Sequence, residues 1–414
     1  MKKVLIISYF FPPVNTMASK RYGTMCKYFE ENGYIPYVLT TKYDVTMRRN
    51  IMLDCELPIN KKNIIRIGSV RHNTEAVGLG WIMMSGLLND WKYYSRTIEI
   101  GVMGWCNKVK SEIDLESLRD IDVIIGTFPQ MVNLSVALYL SRKLRVPFIA
   151  EVRDLISDYS ETPLGFKHAF LIDRIMERNI LQRAAAIITV TSGYKNILKE
   201  RYPPKDIGVI YNGWDGEPLH CLEEREIQTE KYLYYAGSFY LHRLKSFRLL
   251  VKCLKKINNY TTEKIKFFIR SIGPVELDAK AINIIHQEEM EDYVYVLPAA
   301  VEDVVRKEQE KAYINVVLSS LDSEDKALMT TVPGKIYELL RQNPPVLAIV
   351  FGHSDIAKVL DYTNKGIASV NEKEIVDFIV DKNKKYMGNY KINFFSRRTQ
   401  TERLCKFMDQ LLVE

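Results

Sequence analysis

Three segments carry residue types whose spacing could do chemistry. The sharpest is Thr330-Thr331-Val332-Pro333-Gly334-Lys335-Ile336-Tyr337-Glu338-Leu339-Leu340. Pro333 fits the first turn of a helix, where its lack of an N–H does no harm. Thr331, Val332, Pro333, Gly334 and Lys335 surround the positive end of that helix, where free backbone N–H groups suit a phosphate. Glu338 lies one turn on, placed to accept both hydroxyls of a ribose. The second segment is Ala236-Gly237-Ser238-Phe239-Tyr240, followed by Arg243 and Lys245. A glycine at a strand end lets backbone N–H groups of Gly237 and Ser238 approach a diphosphate closely. Arg243 and Lys245 at a helix start oppose the helix dipole, which favours a bound anion there. A cation aimed at the charge that develops on a departing diphosphate would lower a barrier.

The third segment is Glu151-Val152-Arg153-Asp154. Its two carboxylates could accept a hydroxyl proton or bond a sugar, with Arg153 holding one of them ionised. An internal ion pair that fastens the loop explains the same residues, and the sequence does not separate the two readings. Near the start, Tyr9-Phe10-Phe11-Pro12-Pro13-Val14-Asn15 is a stiff loop leading into a helix whose first turn, Asn15–Ser19, could meet an anion or a sugar hydroxyl. Arg21 reads as a structural or acceptor-side cation. Tyr211-Asn212-Gly213-Trp214-Asp215 reads as a structural turn and hinge.

Several chemistries are disfavoured. No G-x-G-x-x-G follows a strand, so a dinucleotide fingerprint is missing. Six cysteines, Cys26, Cys55, Cys106, Cys221, Cys253 and Cys405, are scattered without a C-x-x-C pair, which argues for buried thiols in a reducing compartment and against a zinc site. The histidines His72, His168, His220, His242, His286 and His353 have no metal-ligand spacing, so no protein-bound metal is expected.

Positioning these residues requires strand ends. Short β-branched runs alternate with helical stretches, the pattern of parallel sheets built from βαβ units. The first half gives strands Val4–Tyr9, Tyr37–Thr40, Ile64–Ile67, Asp122–Gly126, Val146–Glu151, Ala186–Val190 and Gly208–Tyr211, with helices at Ser19–Glu31, closed by Gly33, and Gln130–Leu144. The pattern restarts with Tyr232–Ala236, Ile265–Ile269, Tyr293–Leu297, Tyr313–Leu318 and Val346–Val350. The expected fold is α/β, with two doubly wound Rossmann-like halves. They divide at residues 1–215 and 216–394, and a last helix within 395–414 returns to the first half after the Lys-rich segment Asp381–Asn393. Ligands of such sheets bind outside the carboxyl ends of the strands, and all three segments fall there.

The bulk numbers agree with a globular chain. The 414 residues are 47% hydrophobic and 26% charged, and no apolar run reaches the ~18 residues of a spanning helix. The opening Met1–Ser8 reads as a buried strand, not a signal peptide. The net charge of +7 lies wholly in the first 215 residues, which suits phosphates or an anionic membrane surface. With no basic stripe carrying interleaved aromatics, nucleic acid is not expected. Trp81, Met83, Met84, Leu87, Leu88, Trp91 and Trp105 form either a bilayer-docking stretch or a core-facing helix pair.

In order along the chain, Phe-Pro-Pro, Glu-Val-Arg-Asp, Tyr-Asn-Gly-Trp-Asp, Ala-Gly-Ser-Phe-Tyr and Pro-Gly-Lys-Ile-Tyr-Glu resemble family-4-like GT-B glycosyltransferases of bacterial surface polysaccharide synthesis. The resemblance implies two Rossmann-like domains facing a central cleft, an N-terminal acceptor domain and a C-terminal donor domain. It implies a cytoplasmic, retaining, metal-independent transfer from a nucleotide-sugar donor to a glycan or lipid-linked acceptor, with no further cofactor. Glu338 looks like the ribose-binding glutamate and Gly237 like the glycine beside the donor diphosphate. Departures are present too: Thr330 stands where the family has its earlier glutamate, Ser238 where an arginine is usual, and Val14–Ala18 replaces the glycine-rich first loop. The mid-domain histidine is missing, and Glu151–Asp154 fills that region. A nucleotide-sugar epimerase on the same scaffold and a non-catalytic nucleotide-sugar-binding subunit are the rival readings.

Overall fold

The computed structural model describes residues 1–14, 17–42, 59–68, 100–156, 167–217, 231–381 and 386–413. Asn15 and Thr16 of the first loop lie outside the described residues, as do Cys55, Cys221, His72, His220 and Trp81, Met83, Met84, Leu87, Leu88 and Trp91 of the candidate membrane stretch. By contact the chain forms two units, Met1–Asp215 with Arg397–Glu414, and Gly216–Ser396.

The first unit is built on a parallel sheet of β1 (Lys2–Ile7), β2 (Tyr34–Thr40), β3 (Ile64–Arg66), β4 (Val123–Thr127), β5 (Phe148–Val152), β6 (Ala186–Thr189) and β7 (Ile207–Val209), in the order β3-β2-β1-β4-β5-β6-β7. The reversal of direction falls between β1 and β4, where Leu5 pairs with both Tyr37 and Ile124. Val4, Leu5, Ile6 and Ile7 are all fully buried, as consecutive apolar residues must be when both faces of a strand are covered. The helix expected from Ser19 to Glu31 is shorter: an α-helix over Met17–Met25 gives way to 3-10 turns at Cys26–Tyr28 and Glu30–Asn32, closed by Gly33 at φ +82°. The terminal helix Arg397–Val413 places Leu404, Cys405 and Met408 in this unit's core. Asp409 on that helix accepts from Lys2 at 2.6 Å and from the Tyr34 hydroxyl at 2.7 Å, tying it to β1 and β2.

The second unit repeats the scheme with β8 (Tyr232–Ala236), β9 (Lys266–Arg270), β10 (Val294–Leu297), β11 (Ile314–Leu318), β12 (Val346–Ile349) and β13 (Gly366–Ala368), parallel and in the order β10-β9-β8-β11-β12-β13. One side is covered by the helix Leu244–Tyr260, whose Phe247, Leu250, Val251, Leu254 and Ile257 recur at helical spacing and are all buried. Each fully buried side chain of this size contributes about 1.5–3 kcal/mol relative to exposure. Phe247 meets Phe239 edge-on with ring centroids 5.1 Å apart, which anchors the loop after β8 from beneath. Both sheets are α/β and doubly wound.

Candidate functional site

In the second unit, Gly237 directly follows the end of β8, and its φ of +146° is closed to ordinary side chains. Its N–H donates to the Arg270 carbonyl at 3.0 Å, and a Cβ here would stand 3.1 Å from the Lys335 Nζ and 3.4 Å from the Tyr235 hydroxyl. The glycine thus leaves room for a cation. Lys335 comes from the first turn of the helix Gly334–Leu340; its Nζ donates to the Ala236 carbonyl at 3.1 Å and sits 3.9 Å from the Tyr235 ring centroid. Arg243 closes the 3-10 turn Leu241–Arg243. Its Nη1 donates to the Ser238 carbonyl at 3.0 Å and to the Tyr235 hydroxyl at 3.4 Å, and its guanidinium lies over the Tyr240 ring at 4.6 Å. Its buried Nε has no hydrogen-bond partner among the described residues.

Two cations therefore converge on one tyrosine beside a strand-end glycine, and among the described residues no carboxylate pairs with either. Burial, followed by the field of Arg243, holds the Lys335 amine well below the usual lysine range. Like charges kept together without a counter-ion are unfavourable unless an anion joins them.

The other residues named from the sequence fall into place around this cradle with unequal roles. Pro333 caps the seven-residue helix Gly334–Leu340 and Val332 is buried beside it. The Thr331 hydroxyl donates to the Ala327 carbonyl at 2.7 Å, and Thr330 donates to Lys326 at 2.7 Å, so both hydroxyls bond their own preceding turn. Glu338 is exposed, one turn beyond Lys335. Ser238 contributes its carbonyl, which accepts from Arg243 and, at 2.9 Å, from the Tyr235 hydroxyl. Lys245 is exposed at the start of Leu244–Tyr260 and makes none of these contacts. Of the two cations named after the strand-end glycine, the structure brings in Arg243 and adds Lys335. Tyr235, which carries both, and Tyr240, which carries Arg243, are missed by sequence reasoning because a tyrosine in or just after a buried strand reads as core.

In the first unit, Glu151 is the penultimate residue of β5 and is fully enclosed. Its Oε1 accepts from the Arg21 guanidinium at 2.9 Å and from the Tyr22 hydroxyl at 3.1 Å. Arg21 also donates to the Ile210 and Tyr211 carbonyls at 3.0 and 3.1 Å and to Asn212 Oδ1 at 3.0 Å. The cluster joins the helix Met17–Met25, β5 and the segment after β7. Arg153, expected from sequence to hold one of the two carboxylates ionised, pairs with Glu151 at longer range, its Nε 4.0 Å from Oε2, and donates to the Phe128 carbonyl at 2.7 Å. Burial pushes the Arg153 guanidinium below its usual range, with Glu151 opposing. Asp154, half-buried just past the strand, is the acidic group of this segment nearer to solvent. A further cation not singled out from sequence, Arg66, ends β3 and donates to the Pro12 carbonyl at 2.6 Å, which fixes the Pro-Pro loop. Among the described residues no group of three His, Cys, Asp or Glu side chains could hold a metal ion.

Residues 22–217 match the profile of Glycosyltransferase Family 4. The fold is similar to sucrose-phosphate synthase from Thermosynechococcus elongatus, with a TM-score of 0.61 and 13% identity over 99% of this chain and 98% of that one. It is similar to Anabaena HepE solved with UDP and glucose, with a TM-score of 0.61 and 12% identity over 99% and 100%. It is also similar to S. aureus TarM solved with fondaparinux, alpha-GlcNAc-glycerol and UDP, with a TM-score of 0.58 and 11% identity over 100% of both chains. No curated protein sequence matches the chain. The profile matches residues 22–217, and the architecture over the whole length is the two-sheet GT-B fold.

Proposed function

We propose that the second unit holds a nucleoside-diphosphate sugar and the first unit an acceptor hydroxyl, and that the sugar is transferred with retention of configuration. The observation that carries this reading is the pair Arg243 and Lys335 around Gly237. As the bond from the sugar's anomeric carbon to the diphosphate breaks, negative charge grows on the phosphate oxygens. Fixed donors aimed at that charge lower the barrier, and losing one costs about 2.7–4 kcal/mol. The new bond forms from the acceptor oxygen on the same face, and the hydroxyl proton passes to the departing phosphate. Two side-chain cations supply the neutralisation that a divalent ion would otherwise provide, so the transfer is metal-independent and needs no cofactor beyond its substrates.

Gly237, Ser238, Thr331, Val332, Pro333, Gly334 and Lys335 form the diphosphate cradle, and Glu338 accepts the ribose hydroxyls. On the acceptor side, Asp154 contacts the incoming hydroxyl, while Glu151 acts through Arg21 and holds the strand ends in place. Lys245 serves as an outer cation that draws the donor in. Structures of similar fold that hold UDP with glucose, or UDP with a glycan, support this class of substrate.

The acceptor is a glycan or a lipid-linked saccharide of polysaccharide synthesis, reached from the cytoplasm. The excess positive charge of residues 1–215 supports docking on an anionic membrane surface. Among the described residues no helix is long and apolar enough to cross a membrane. A panel of nucleotide sugars tests the reading. Slow hydrolysis or transfer of one donor is expected, with release of its nucleoside diphosphate and a loss of about 100–1,000-fold in Arg243→Ala. An epimerised nucleotide sugar with no transfer would contradict it.

A further inference from the structure

The cradle poses an electrostatic problem in the absence of a ligand. Lys335 Nζ lies 3.9 Å from the centroid of Tyr235, and Arg243 Nη1 lies 3.4 Å from the hydroxyl of the same ring. The groups facing the amine are Tyr235 from β8 and Arg243 from the turn after it; Glu338, on its own helix, is exposed. The Asp278 carboxylate, felt at Tyr235 from the helix Val275–Gln287, accepts the Ser271 hydroxyl at 2.6 Å. Among the described residues the hydrogen bond that Lys335 makes goes to a backbone carbonyl, Ala236, which a neutral amine serves as well as an ammonium. One of two crowded cations can be relieved by losing a proton. A guanidinium cannot lose it, whereas a partly desolvated lysine amine beside another cation can.

We propose that Lys335 rests as a neutral amine in the ligand-free protein and takes up a proton from solvent as a diphosphate settles beside Gly237, so that donor binding and protonation of this side chain are one coupled event. The inference rests on the donor-site reading above and adds its regulation by pH. A dianionic group next to Nζ restores the charged form by direct attraction, while the neutral form costs the empty site less. Donor affinity is then insensitive to pH below the value at which the free amine titrates. It falls about tenfold for each pH unit above that value, until the bound amine itself loses its proton.

Two measurements on the full chain test this. Titration calorimetry with UDP, GDP and ADP at about pH 8, where the nucleotide phosphates are fully ionised, is run in Tris and in HEPES. The difference in heat is expected to report close to one proton taken up per nucleotide in the wild type. In Lys335→Arg, whose side chain keeps its charge, nucleotide is expected to bind with almost none. Equal heats in both buffers for the wild type would overturn the coupling. Separately, lysines of the ligand-free protein are dimethylated with carbon-13 formaldehyde, and the Lys335 resonance, assigned by its loss in Lys335→Arg, is titrated by NMR. A midpoint well below the other lysines is expected, whereas a midpoint near their common value of about 10.4 would overturn the neutral resting amine even if nucleotide binds. Absence of heat with every nucleotide would instead sink the donor-site reading and the coupling with it, a result distinguishable by the NMR arm.

Discussion

Lys335 Nζ and the carbonyl oxygen of Ala236 are 3.1 Å apart, which joins the first turn of one helix to the end of β8 across 99 residues of sequence. That contact fixes where the amine sits, and the side-chain-free Gly237 next to it leaves the amine open to an anion. The predictions below follow from this arrangement and from its counterpart in the first unit.

Gly237→Ala adds a methyl in a conformation that alanine rarely adopts and aims it at Lys335. Unfolding free energy is expected to fall by about 1–3 kcal/mol. Diphosphate affinity is expected to drop at least about tenfold, because the amine must move. Urea unfolding and calorimetry check the two effects, and unchanged binding in a folded variant would contradict the close approach.

Lys335→Met trades function for stability. Burial and Arg243 lower the folded-state value of the amine, so between that value and 10.5 the folded chain holds fewer protons than the unfolded one. Stability from this group therefore rises with pH through that window, and the penalty is greatest below it. Removing the amine should raise the melting temperature at neutral pH, by about 2–4 °C for each kcal/mol relieved. The gap should close as pH approaches 10.5. Thermal melts across pH, paired with nucleotide titrations that show lost binding, measure both.

Glu151 and Asp154 should part ways. Glu151→Gln leaves Arg21 buried without its counter-ion, an expected loss of about 3–5 kcal/mol in chemical unfolding. The double substitution Arg21→Met with Glu151→Leu should recover much of it. Asp154→Asn should stay within about 0.5 kcal/mol of the wild type. Its transfer rate should nevertheless fall by about 10–100-fold, because the acceptor hydroxyl loses its hydrogen bond to a carboxylate. A stable Glu151→Gln variant with lost turnover would reverse the assignment.

Gly366→Ala tests the edge of the second sheet. A Cβ there would come within 1.8 Å of the Val346 carbonyl, its partner strand in the β12–β13 pairing. The expected cost exceeds about 2 kcal/mol in urea unfolding, with amide protection lost at β13.

Much of the fold is legible in the sequence because parallel strands buried on both faces read as unbroken apolar runs, as at Val4–Ile7 and Val346–Ile349. β13 is not legible. Three residues starting at Gly366 carry no period, and they form a strand only because β12 offers an edge. The helix Asp355–Thr363 is signalled by Ser354, whose hydroxyl accepts from the Ala357 N–H, but a single cap is weak without the neighbouring strands. At the candidate site, Gly237 and the Pro333–Glu338 run stand out locally, since strand-end glycines and helix starts have their own chemistry. The closer pairing of Arg21 with Glu151 does not, for it spans 130 residues, whereas the longer one from Arg153 is two positions away and is legible locally. Tyr235 as the platform shared by two cations is likewise a product of tertiary packing.

The central claim is that a diphosphate sits between Arg243 and Lys335 beside Gly237. A structure of the protein with a bound nucleoside diphosphate tests it most directly. Phosphate oxygens are expected about 2.7–2.9 Å from the nitrogens of both cations. A nucleotide bound elsewhere, or phosphates that leave Arg243 and Lys335 untouched, would contradict the account.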